Sequence, residues 1–171
     1  LKMAVNVGVM LLVFTAMIAL TNALLSGAIG EWTGLNAWIA SATDGRFTEF
    51  NLQAIFGITL APLTWLMGVP WADAAAVGQL LGEKTVLNEF YAYVSMGNLM
   101  EGGQLGSEKA QILSTYILCG FANFASIGIQ IGGIGALAPE RRKDLSKLGL
   151  RALLAGTAAS LFTAILVGIL Y

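Results

Sequence analysis

Charge is absent from long intervals of this sequence, and that one feature governs what the chain can become. No Asp, Glu, Lys or Arg occurs over residues 3–30, 50–72, 110–139 or 152–171. A transmembrane helix needs about 20 predominantly apolar residues. The stretches 3–26, 110–136 and 149–170 reach that length and read as three full spans. Charged residues make up 11% of the chain, hydrophobic ones 57%, and the mean hydropathy is +0.76. An ordinary soluble domain carries about 25% charge, so a soluble globular monomer is excluded, and so is intrinsic disorder. The formal charge is −1 with the few cations mostly in one loop, which argues against a nucleic-acid surface. His is absent, removing the commonest general base and metal ligand. The single Cys119 lies in an apolar run, so neither a disulfide framework nor a thiolate metal cluster is available. An all-α membrane protein is the expectation.

No signal peptide is visible: the first apolar stretch is too long and lacks a small-residue cleavage site. With Leu1 in place of an initiator methionine, the chain reads as a portion of something longer.

The middle of the chain is organised differently. Residues 74–82 and 90–100 are apolar but too short to cross, and Glu83, Lys84, Thr85, Asn88 and Glu89 lie between them. Two half-length helices around a polar tip read as a re-entrant hairpin over 72–100, whose backbone must be buried in protein or line a water-filled cavity. One long helix lying partly in an interface is the alternative. Residues 48–66 carry Phe50, Leu52, Ile55, Phe56, Leu60, Leu63 and Trp65 behind a polar run, with Pro62 near the end, the pattern of an interfacial helix. Trp32, Trp38, Trp65 and Trp71 sit around it, and tryptophan favours the membrane–water boundary.

Sidedness follows from the loop 139–151. It holds Arg141, Arg142, Lys143, Lys147 and Arg151, five of the nine basic residues, and the positive-inside rule makes it cytoplasmic. Residues 3–26 then run outward and 27–72 lie outside. The hairpin enters from outside and returns, 110–136 runs inward, and 149–170 runs outward to leave Tyr171 outside.

Polar groups at membrane depth are the functional candidates. Asn123, Ser126 and Gln130 are spaced three and four apart, so a continuous helix puts them on one face. That face must meet protein, water or a ligand; for Gln130 interhelical hydrogen bonding is the preferred reading. Gly120 ahead of the stripe permits a local break, as in transporters that expose backbone at the midplane. Glu89, in the hairpin tip, could accept hydrogen bonds from substrate hydroxyls, bind a coupling cation or carry a proton; an ion pair with Lys84 at an exposed tip is the structural alternative. Asn88 reads as a helix cap. Asp73 reads as the N-cap of the hairpin's first helix, and Glu83, Glu101, Glu108 and Lys109 as interface charges. Soluble-enzyme constellations are missing: there is no Walker A loop, nucleophile elbow or zinc motif. An enzyme is not expected.

Two motifs carry a resemblance. Gly82-Glu83-Lys84-Thr85-Val86-Leu87-Asn88-Glu89-Phe90-Tyr91-Ala92-Tyr93 resembles the G-x-K-x-x-x-N-E-F-V-A-Y signature of the concentrative nucleoside transporters, with Tyr91 where that family usually has Val. Cys119-Gly120-Phe121-Ala122-Asn123-Phe124-Ala125-Ser126-Ile127-Gly128-Ile129-Gln130 is similar to the family's second stretch, and the likeness covers the whole chain as the C-terminal half, the second of two inverted repeats. The resemblance implies a scaffold helix over 1–26 near a homotrimer axis and an external loop with an interfacial helix over 27–71. It implies half of a transport domain over 72–171: hairpin 72–100, broken helix 110–136 and last helix 147–170. Glu89 matches the glutamate that binds ribose hydroxyls, Asn123 and Ser126 match further ribose contacts, and Phe121 matches an aromatic wall of the site. Gly82, Lys84, Asn88 and Phe90 are the supporting motif positions. The implied activity is symport of nucleosides with sodium or protons by alternating access, in the plasma or bacterial inner membrane. The nucleobase contacts and the ion site are implied in the absent N-terminal half, so no organic cofactor and no metal are expected here. A non-transporting receptor or assembly subunit that kept the fold is the other class of reading.

Overall fold

Asn, Ser, Pro and Gly punctuate the apolar runs and set where helices start. The computed structural model describes residues 12–13 and 16–171, and every regular element among them is helical. Helix α1 (Ala16–Glu31) is π-wound from Leu24 onward; the scaffold helix expected over 1–26 lies largely outside the described residues. Helices α2 (Leu35–Ala42) and α3 (Leu52–Leu66) follow, the latter capped by Asn51 Oδ1 accepting from Ala54 N at 2.8 Å. Then come α4 (Trp71–Val86), α5 (Glu89–Glu101), α6 (Glu108–Leu118) and α7 (Phe124–Leu137). A 3₁₀ turn (Pro139–Arg141) leads into α8 (Arg142–Leu170).

The interval 72–100 is therefore two helices, parted at Leu87 and Asn88, and 110–136 is two helices parted over 119–123. The basic segment 139–151 is a connection only at its start. From Arg142 its cations lie on the first turns of α8, because Lys and Arg are good helix formers, whereas hydropathy reports only the apolar part of a helix. The continuous helix Pro139–Leu170 has a mean hydropathy of 2.2 over its most apolar window, long and apolar enough to cross a membrane. Its outward side chains, Leu154, Phe162, Leu166 and Ile169 among them, are exposed.

Helices α3 and α4 meet at 118° across a short break. Gly68 makes the turn possible: its φ of 98° lies in a region that side chains rarely enter. Beyond the turn the two helices touch backbone to backbone. A Cβ on Gly78 would stand 3.0 Å from both Ala61 N and Gly57 O. The buried Thr64 hydroxyl lies 2.8 Å from Ala74 O, using an oxygen of the partner helix as acceptor. The main core joins α4, α5 and α6 through Val77, Leu80, Leu81, Ala92, Leu113 and Ile117, with Ala164 added from α8.

Asp73 corrects its expected role. The N-cap position of α4 is Pro70, and Asp73 lies one turn inside. Its carboxylate accepts from Gly106 N (3.0 Å), Ser107 N (3.2 Å) and Ser107 Oγ (2.5 Å). It thus bonds the loop entering α6, whose N-cap is Ser107. A carboxylate can satisfy several donors at once, and here they belong to another helix.

Replacing Gly78 by Leu forces bulk between two backbones and is expected to cost about 1–3 kcal/mol. Thermal unfolding of the detergent-solubilised protein checks it; an unchanged melting temperature contradicts the close α3–α4 contact.

Candidate substrate site

Two interrupted helices bring the candidate residues together. At the first interruption Asn88 adopts an extended conformation and caps α5, its Oδ1 accepting from Tyr91 N at 2.9 Å. Glu89 is the first residue of α5, where a carboxylate is favoured by the helix dipole. At the second, Asn123 caps α7: its Oδ1 accepts from Ser126 N at 2.7 Å, and Ser126 Oγ donates to Asn123 O at 2.6 Å. The amide of Asn123 has a second use. Its Nδ2 donates to Glu89 Oε2 at 3.1 Å, joining the starts of α5 and α7.

The register that makes this meeting happen comes from α4 and α6. Asp73, near the start of α4, holds the start of α6, and Lys84, in the last turn of α4, donates from Nζ to Ile117 O at 2.7 Å near the end of α6. Lys84 is fully buried. The two ties are separated by 11 residues on α4 and 10 on α6, about 16 Å of helix each. The two helices therefore run parallel, in register over that length. An ammonium at a helix C-terminus meets an orphaned carbonyl and the negative end of the dipole. The reading of Lys84 as an ion-pair partner at an exposed tip is overturned: it is enclosed and bonded to backbone. The described side-chain ion pair is Arg141 with Asp144, at 2.7 Å on the surface.

Each of the other candidates has a definite place. Asn123 and Ser126 are buried, Glu89 is half-buried, and Phe121 and Phe90 are exposed. Gly82 is pressed against Phe56, whose ring an added Cβ would strike. Gly120 has the same kind of constraint: an added Cβ would meet Ser160 Oγ and come within 3.3 Å of Lys84 Nζ. Asn123 and Ser126 do not form a stripe along a continuous helix; they bond to each other as a capping pair. Gln130 is exposed and lines a cavity of about 410 Å³ between α7 and α8, with Phe121, Ser126 and Leu148. Neither Glu89 nor Asn123 contributes to its wall. Among the described residues no group of three His, Cys, Asp or Glu side chains is placed to hold a metal.

Sequence reasoning missed the two ties and the burial of Glu83, which is 3% exposed. The signal for the ties was faint: Ser107 directly before Glu108 marks a helix start, and counting from there matches the Asp73-to-Lys84 spacing.

The family described as Na+ dependent nucleoside transporter C-terminus matches residues 1–168. An uncharacterized transporter of Bacillus subtilis, YutK, is 44% identical over 168 residues, 98% of this chain and 38% of that protein. Sodium/nucleoside cotransporter 1 of Rattus norvegicus is 40% identical over 182 residues, 99% of this chain and 26% of its own length. A solved structure of CNTnw in an inward-facing substrate-bound state superposes with a TM-score of 0.82 at 38% identity, covering 98% of this chain and 38% of that one. The chain belongs to the nucleoside transporter family and corresponds to its C-terminal part. It spans between about a quarter and two-fifths of the length of these relatives.

Lys84→Met keeps the bulk and removes the charged donor, leaving Ile117 O without it. A loss of about 1.5–3 kcal/mol is expected, read as a lower melting temperature of the full-length protein. A wild-type value contradicts the tie.

Proposed function

We propose that this chain is the C-terminal part of a secondary active transporter that moves nucleosides with sodium or protons by alternating access. Glu89, Asn123 and Ser126 form its ribose-binding half, with Phe121 as an aromatic wall. The observation that carries this reading is the Asn123–Glu89 hydrogen bond between two helix starts. A carboxylate fixed at such a junction, with its neighbouring amide held as a cap, presents acceptors to a sugar diol. A charge-assisted hydrogen bond is stronger than a neutral one. A site built to pair hydroxyls rejects analogues lacking them, because its own groups are then left unpaired. Lys84, Asn88 and Gly82 support the site by holding the end of α4 and the start of α5 in place; Phe90, on the outer side of the tip, faces away from that support. The coupling ion binds mainly outside this segment.

In the bilayer, residues 1–26 serve as the scaffold helix and α3 as the external interfacial helix; α4 with α5 is a re-entrant hairpin over 72–100. Helices α6 and α7 make one broken span, and α8 the last. The segment 139–151 is cytoplasmic, Tyr171 lies outside, and the assembly is a homotrimer completed by the N-terminal half. The 118° turn between α3 and α4 supports this arrangement, since it directs α4 away from the line of α3.

Uptake of labelled uridine by the full-length protein tests the site. Glu89→Gln and Asn123→Ala are each expected to lower affinity roughly ten- to a hundredfold, and 2′,3′-dideoxyuridine is expected to compete poorly. Uptake near wild type in both variants refutes the assignment. Nucleoside binding without ion-driven accumulation in proteoliposomes would mark a receptor or assembly subunit instead. Sidedness has its own check. In a Cys119→Ser background, an impermeant thiol reagent added to intact cells should label Tyr171→Cys and spare Ser146→Cys; the reverse pattern inverts the topology.

A further inference from the structure

The hairpin holds a second carboxylate that the nucleoside site does not use. Glu83 lies one turn before the tip, on a face of α4 turned toward α3 and α1, whereas Glu89 is bonded to the start of α7. Glu83 Oε1 accepts from Gln79 Nε2 at 3.0 Å. Its Oε2 is enclosed and has no hydrogen-bond partner among the described residues. Glu83 is among the residues around a small cavity shared with Ile18, Gln53, Phe56 and Val86, of about 10 Å³. Such a volume is close to that of a single water-sized occupant.

Only neutral groups face this carboxylate among the described residues. Lys84, the next residue, is spent on Ile117 O on another side of α4. From α3 the facing polar group is the neutral Gln53, from α1 it is Asn22, which donates to Gln53 Oε1 at 2.9 Å, and from α5 they are Ser95 and the Tyr91 phenol. No cation stands among them. An enclosed, ionised carboxylate with a bare oxygen is costly unless something positive joins it. A buried carboxylate oxygen without a partner, beside the neutral oxygen of Gln53, is a seat for a hard monovalent cation, and equally for a proton.

We propose that Glu83, with Gln53 beside it, is a binding site for one small monovalent cation, a proton or a sodium ion, separate from the nucleoside site. The occupant neutralises the carboxylate and holds the hairpin against α3 and α1. Release of the cation leaves a bare charge in that seam and favours its opening to water.

The test uses the purified full-length protein and does not depend on whether it moves nucleosides. Melting temperature is followed against NaCl with choline chloride holding ionic strength, and against pH, for wild type and Glu83→Gln. If sodium is the occupant, raising NaCl stabilises the wild type more than the variant. If a proton is, the pH dependence of stability in the wild type differs from that of the variant by about one bound proton, and the sodium response is shared. Identical sodium and pH profiles in the two proteins overturn the proposal. Should Glu83→Gln fail to fold, Gln53→Ala is compared with wild type: a midpoint moved to higher cation or proton concentration supports the site, and an unmoved midpoint overturns it.

Discussion

Helices that stop inside an apolar protein leave backbone groups that must find partners, and this requirement organises the whole molecule. Helix α6 ends at Leu118 among buried side chains, and one of its last carbonyls, Ile117 O, is taken by the ammonium of Lys84. At its other end, Asp73 collects two N–H groups and a hydroxyl from Gly106 and Ser107. Two oppositely charged side chains of α4 therefore hold the two ends of α6, each at the end whose dipole suits it. Unpaired, either would be a charge enclosed in an apolar core.

From that clamp the site follows. Since two ties hold α4 and α6 in register, the turns beyond them lie close together, and the helices that resume there, α5 and α7, begin next to each other. Each begins with an asparagine cap, and the second cap has an N–H left over for Glu89. Close packing does the rest. Gly82 lets Phe56 lie against α4, and Gly120 lets Ser160 and Lys84 approach the second interruption. The glutamate is thus held at the start of α5 by the Asn123 amide, within a frame set by these contacts.

Much of this was legible in the residues. The charge-free intervals gave helices in an apolar setting, and the polar cluster 83–89 gave the interruption in the hairpin. The two motifs gave the family and pointed to Glu89, Asn123 and Ser126. Other readings failed for a common reason. Asn123 was read as a position on a helix face, yet it ends one helix segment and starts another, and hydropathy does not register a five-residue break. Asp73 looked like a cap for its own helix because local spacing allows it, while its partners are more than thirty residues away. Glu83 and Lys84, adjacent charges, both looked like boundary residues; each is buried, against different helices.

The sequence by itself determined that the chain is helical, apolar and built to be interrupted twice, because those properties follow from composition and from residues that are neighbours along the chain. Only the tertiary structure decided what each charged side chain does. Whether a carboxylate caps its own helix, clamps another, meets an amide or stands bare in a cavity depends on which helices pack beside it. That packing is set by contacts, such as those of Gly78 with α3 and Lys84 with α6, between residues far apart in the chain.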